Sequence, residues 1–186
     1  FVSSDGGRNP ETGAEVRECR YRLKDNYCRF YLKYVEPVKQ SIDAGLFSFT
    51  GMDQFEGWNA VLGLQFENLV LNNYRELLRP LHLERVMIES AAPYRKAASK
   101  WTHGTGLQID ILLQAKMSYC IVEIKKWRTK IGRDVIAEVP EKARRLKRPR
   151  EVSGRTALVY AGELTRSVEA DGFFDAIVSA SDLLGL

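Results

Sequence analysis

Two short stretches of the chain put charge where the surrounding pattern asks for burial: Ile109-Asp110-Ile111 and Glu123-Ile124-Lys125. Each lies in a run of Ile, Leu and Val on both alternate and intervening positions, the composition of a strand covered on two faces. A carboxylate in such a run costs free energy unless it meets a cation or hydrogen-bond donors. Conflicts of this kind between pattern and residue type concentrate at functional sites. The polar break at 114 to 118 reads as a hairpin turn centred near 116 to 117, so Asp110 pairs with a residue at 122 to 124, and Glu123 is that neighbour. Opposed residues of such a ladder hold their Cβ atoms ~4.5–5.5 Å apart, which brings two carboxylates within reach of one hard cation. The two-residue period of a strand sets Lys125 on the face of Glu123, with Tyr119 and Ile121.

The rest of the chain supplies a frame. Residues 1 to 13, rich in Gly and Ser, read as a loop or a frayed end, and Ala14 to Leu23 as an imperfect strand. Asp25 stands as an N-cap before an aromatic helix over Tyr27 to Val35, which Pro37 brings to an end. Val38 to Gly51 reads as a connector with one short helix. Asp53 followed by Glu56 resembles a capping box opening the longest helix, which runs to Leu78 before Pro80. Within it Glu67 shares a stripe with Leu64, Leu71, Tyr74 and Leu78, so its carboxylate either needs a partner or reaches water at the stripe's edge. Strands are expected over Arg85 to Ala91, Leu107 to Leu113 and Tyr119 to Lys125. A helix follows over Arg133 to Lys147, kinked or divided by Pro140, then strands over Thr156 to Ala161 and Phe174 to Ser179. That order predicts an α/β fold, a mixed sheet flanked by helices.

Composition narrows the function. No apolar run approaches the ~20 residues that span a bilayer, and no basic-then-apolar start reads as a signal peptide, so neither membrane insertion nor secretion is expected. Three cysteines, Cys19, Cys28 and Cys120, lack paired spacing and suit a reducing cytoplasm; with His82 and His103 they make no zinc pattern. The net charge of +4 hides an uneven distribution: from Arg95 to Arg150 the chain has fifteen Lys or Arg against five acids. Such a window attracts a polyanion by counterion release, and its Trp101 and Trp127 are placed to stack on bases, unless the window is a solvated helix face with Trp127 in the core.

Two carboxylates held together repel unless a cation neutralises them, and magnesium, which prefers oxygen ligands and keeps several waters, suits that role. A phosphodiester hydrolase uses this arrangement: Mg²⁺ or Mn²⁺ activates a bound water, while a nearby ammonium such as Lys125 positions the nucleophile. Glu67, on a helix over the sheet, is placed to be a further ligand or to hold a metal-bound water. Lys126, Arg144, Arg145, Lys147 and Arg148 are the expected contacts to backbone phosphates of a nucleic acid, DNA in the first instance.

Asp110 with Glu123-Ile124-Lys125 and an upstream helical Glu67 resembles the PD-(D/E)XK nuclease superfamily, whose restriction-endonuclease-like core is a mixed sheet between helices. More widely, Gly106 to Leu113 and Val122 to Lys126, with Phe66-Glu67 and Tyr21 to Tyr31, resemble the C-terminal region of archaeal-type AAA+ ATPases. The resemblance implies the end of a winged helix over 1–37, a linker over 38–52 and a DUF234-like nuclease domain over 53–186. It further implies Asp110 and Glu123 as metal ligands, Ile124 lending its main-chain carbonyl, Lys125 as the catalytic lysine and Glu67 as the helical acid. No G-x-x-x-x-G-K-[ST] occurs, so no P-loop ATPase activity is expected here, and the chain is expected to be a piece of a longer protein whose ATPase module lies elsewhere. Gln108 stands where many relatives have an acid, and the helix after the motif lacks the Gln found in several nuclease families. Two readings compete with the nuclease: a catalytically silent DNA-binding or regulatory module of the same ATPase, and a generic α/β domain whose acids reach solvent.

Overall fold

A computed structural model describes residues 1–16, 20–49, 51–98, 106–126, 131–132 and 134–185, the side chains of 53 and 134 excepted. The first element is a strand, β1 (Val2–Asp5), paired antiparallel with β2 (Arg20–Leu23), so the opening residues are not all loop. Four residues are too few to show a period, and the partner that orders them lies some fifteen residues on. Asp25 caps α1 (Asn26–Phe30) as expected, accepting from the Cys28 amide at 2.8 Å. Pro37 does not end the helical path. A π-helical turn (Tyr31–Val35) and a 3-10 turn (Glu36–Val38) lead on to α2 (Lys39–Asp43), and Pro37 sits in the first turn of the 3-10 segment, a position that tolerates proline.

The long helix α3 spans Trp58–Asn72, shorter at both ends than the 53-to-78 expectation. Gly57, at φ 68°, turns the chain left-handed just before it, and a 3-10 turn (Met52–Gln54) stands where the helix was expected to open. A third 3-10 turn (Tyr74–Leu77) follows Asn72. Next come β3 (Ile88–Lys96), β4 (Leu107–Ala115), β5 (Ser118–Lys126), α4 (Asp134–Arg145), β6 (Ser153–Ala161), α5 (Arg166–Asp171), β7 (Ala176–Ser179) and α6 (Ala180–Leu184). The third strand starts later than expected and runs through Pro93, which an edge strand tolerates. Pro140 lies inside α4 without dividing it.

The five strands form one mixed sheet in the order β3-β4-β5-β6-β7, antiparallel from β3 to β5 and parallel from β5 to β7. Two apolar cores cover it. On one face Phe66 and Val70 of α3 and Leu183 of α6 meet Ile111, Leu113, Val122 and Ile124. On the other, Val135 and Val139 of α4 and Val168 of α5 meet Ile109, Leu112, Tyr119 and Ile121. Coverage on two faces is what the unbroken apolar runs predict. No helix among the described residues is long and apolar enough to cross a membrane.

A polar joint fixes the N-terminal elements to α3. Asn68, 3% exposed, donates to the Lys24 carbonyl and to Asn26 Oδ1, each at 2.7 Å, and its own Oδ1 accepts from Arg22. Asn26 and Gln65 each donate to the other's main-chain carbonyl at 3.1 Å. Asn68→Ala leaves a carbonyl, an amide and a guanidinium short of partners and is expected to destabilise the protein by about 1–3 kcal/mol in urea unfolding. A loss near zero would show that the joint contributes nothing to stability.

Candidate active site

The site begins with a register shift. Ala92 pairs with Leu112 and Tyr94 with Ile109, so two residues of β4, Asp110 and Ile111, oppose Pro93 alone. This is a β-bulge on β4, set where the partner strand has no amide hydrogen to give. Ile109 and Ile111 consequently enter opposite cores although they are two residues apart. On the other side of β4, pairing with β5 ends at Ile111 and Val122. The same register carried one step further sets Asp110 against Glu123, as the turn position implies. There Asp110 uses its side chain rather than its backbone: Oδ2 accepts from the Ile124 amide at 2.9 Å. The N–H and C=O of one strand residue point to the same edge, so the Ile124 carbonyl also faces this gap.

Glu123 is 1% exposed. Its Oε1 lies 2.8 Å from Lys125 Nζ and its Oε2 2.6 Å from Lys142 Nζ, so each oxygen has an ammonium. Lys125, on the expected face, also reaches Glu138 at 3.3 Å. Burial works to lower the pKa of Lys125, but the hydrogen bond and charge of Glu123, with Glu138 and Asp110 beyond, hold it above its ordinary value. Lys142 was not among the expected site residues, although the pattern carries a signal for it. Val135, Val139, Lys142 and Leu146 follow one another at helical steps, and the three apolar ones are buried, so Lys142 interrupts an apolar stripe.

Glu67 reaches the same cleft from α3 on the other face. The stripe drawn for it holds in part: Leu71 is buried, with Tyr74 and Leu78 packed against the same core, but Leu64 is 48% exposed, and the buried side of α3 also takes in Val61, Phe66 and Val70. Glu67 sits at the rim of that side, half-buried, and burial raises its pKa against the opposing pull of Arg95 and Lys125. The cleft measures about 790 Å³ and brings together Glu67, Asp110, Glu123, Lys125 and Lys126, with Lys142 and Arg145 from α4. Asp110 is the least compensated of its acids. Burial first, then the charge of Glu123, push its pKa up to about 6, and Glu67 adds to this, while the Ile124 amide and Lys142 pull it down.

The basic candidates divide. Lys126 lines the cleft, and Arg145 closes its rim, donating to the Gly106 carbonyl at 3.1 Å. Arg144 faces outward, paired with Glu141 at 2.8 Å. Arg148 donates to the Val152 carbonyl and lies over Gly154, which pairs with Tyr119. That is four residues, or about 13 Å, along β5 from Glu123. The exposed Lys147 precedes it, so neither Lys147 nor Arg148 lines the cleft. Cys19, Trp101, His103 and Trp127 lie outside the described residues.

Among the described residues no three of His, Cys, Asp and Glu converge into a ready-made metal cage. The donors at the gap are Asp110, Glu123 and the Ile124 carbonyl, all hard oxygens, which fit a Mg²⁺ or Mn²⁺ that keeps part of its water. The raised pKa of Asp110 marks a place short of positive charge. Glu123 fits only if one ammonium yields an oxygen to the ion.

No protein-family model and no curated protein matches the sequence. Among solved structures the chain is similar to the crystal structure of protein VC1899 from Vibrio cholerae, with 15% identity and a TM-score of 0.48 over 85% of this chain. It spans 46% of that chain's length.

The charge on Asp110 links the site to stability. Its folded pKa lies above the ordinary value of 3.8, so between about pH 4 and pH 6 the native protein holds a proton that the unfolded chain releases. Stability therefore falls as pH rises through that window, and the deficit, up to about 3 kcal/mol, persists above it. Asp110→Asn keeps an oxygen for the Ile124 amide and loses the charge. In metal-free urea unfolding it is expected to be more stable than the wild type at pH 8 and to converge with it near pH 4. A variant less stable at pH 8 would contradict the assignment.

Proposed function

We propose that this chain carries a metal-dependent phosphodiester hydrolase centre of the PD-(D/E)XK type acting on nucleic acid. The observation behind it is that Glu67, Asp110, Glu123 and Lys125, residues from three different elements, line one cleft where β4 and β5 part. Asp110, Glu123 and the Ile124 carbonyl would hold Mg²⁺ or Mn²⁺, which supplies an activated water and stabilises charge on the phosphate oxygens. Lys125, kept protonated by Glu123, orients the attacking side of the phosphate. Glu67, half-buried at the rim, holds a water there. Lys126 and Arg145 grip neighbouring phosphates.

In the same proposal, by resemblance to archaeal-type AAA+ ATPases, residues 1–37 close a winged helix, an ATPase module lies elsewhere in a longer cytoplasmic protein, and the nucleic acid is DNA. One observation favours a second reading, the catalytically silent DNA-binding or regulatory module of that ATPase: both oxygens of Glu123 already meet lysines, a balance that needs no metal.

Calorimetric titration with Mn²⁺, paired with cleavage of circular DNA in Mg²⁺, Mn²⁺ or EDTA, separates the two. The hydrolase reading expects saturable Mn²⁺ binding, cleavage only with a divalent ion, and a loss on the order of 100-fold in Asp110→Asn and in Lys125→Met. Absence of Mn²⁺ binding, or equal cleavage by Asp110→Asn, would overturn it.

A further inference from the structure

A second recess, of about 710 Å³, opens between the β1–β2 hairpin and the edge strand β3. It shares Glu67, Gln108 and Asp110 with the first cleft, so the two spaces join at the acids of the centre. Its walls carry Arg20 from β2, Arg29 from α1, and Arg95 with Lys96 from the end of β3. Other cations of this region are committed: Arg22 to Asp5 at 2.8 Å, Arg8 to Glu89 at 3.5 Å. Arg20, Arg29, Arg95 and Lys96 have no carboxylate in ion-pair range among the described residues. Four uncommitted cations brought around one recess from three elements repel one another and gain from an anion placed between them. The charges of Arg95 and Arg29 are felt at Glu67, which places them toward the centre rather than away from it.

The spacing over several elements asks for an anion with more than one charged group, and the continuity with the cleft asks for one that can run on to Asp110. The volume is that of a small-ligand recess, ~300–1,000 Å³, enough for about two nucleotides of a single strand and too little for a paired duplex. Tyr21, 78% exposed, stands at the wall, and exposed aromatics beside cations are how single-stranded nucleic acids are held.

We propose that this recess is the track for a single-stranded stretch of nucleic acid, its phosphates against Arg20, Arg29, Arg95 and Lys96 and a base on Tyr21, leading to Asp110. Its destination rests on the hydrolase reading; its binding does not. In EDTA, fluorescence anisotropy with short oligo(dT), oligo(rU) and a duplex of equal length reads binding without cleavage. The single strands are expected to bind about tenfold tighter than the duplex, and the dT and rU arms tell whether the sugar matters. Arg20→Ala and Arg95→Ala should each weaken binding several-fold and reduce the log–log salt slope by about 0.7. Arg75→Ala, exposed and lining neither recess, should leave it unchanged. Preference for the duplex, or wild-type binding by both groove variants, would overturn the track and leave the hydrolase reading standing. Groove-dependent binding without Mn²⁺ uptake would support the track and overturn the hydrolase.

Discussion

The site depends on a hydrogen bond that cannot form. Pro93 has no amide hydrogen for β4, and opposite it β4 holds an extra residue, Asp110 followed by Ile111. Pairing of β4 with β5 ends one step before Asp110, leaving a gap at the ends of two otherwise well covered strands. Into that gap go one carboxylate, taking the Ile124 amide, and one main-chain carbonyl. A regular ladder would have spent those backbone groups on each other. The bulge also lets elements from both faces of the sheet contribute, with Glu67 arriving from the α3 side and Lys142 from the α4 side.

Charge inside the gap is uneven in an informative way. Glu123, almost fully buried, is balanced by two ammoniums, and a carboxylate so placed needs them, because a buried pair that loses one partner costs about 3–5 kcal/mol. Asp110 has the Ile124 amide and only a distant share of Lys142, so its ionised form is disfavoured. A cation that binds Asp110 and takes one oxygen of Glu123 from a lysine relieves the first strain and frees an ammonium into the cleft. On the proposed reading, the lysine pairing and a bound cation would be alternative solutions to one electrostatic demand. The basic recess beside β3 adds a field of the sign that draws phosphates toward the same acids.

Much of this was legible in the sequence, and what was not has definite causes. The partnership of Asp110 and Glu123 follows from a turn whose centre can be found between Ala115 and Ser118, since a hairpin register is arithmetic once its turn is known. Lys125 follows by strand period. The bulge is set by register with β3, which runs through Pro93 to Lys96, beyond the expected end at Ala91, so no pattern within β4 announces it. Lys142 is readable on its stripe by the reasoning applied to Glu67, a charged residue among Val135, Val139 and Leu146 at helical steps. Of the basic candidates, those chosen by clustering in sequence separated in space: Arg145 lies at the cleft while Arg148 is folded against Val152. Arg20 and Arg29 join the acids only through the docking of the N-terminal segment on α3, a tertiary contact that no local pattern announces.

The central claim, that the gap between β4 and β5 is a divalent-cation site, is tested most directly by anomalous diffraction from a crystal soaked in Mn²⁺. The claim predicts one strong peak roughly 2.1 Å from oxygens of Asp110, Glu123 and the Ile124 carbonyl, with the ammonium of Lys125 or Lys142 withdrawn from one Glu123 oxygen. An empty gap with both lysines still on Glu123, at a manganese concentration that occupies other sites in the crystal, would contradict it.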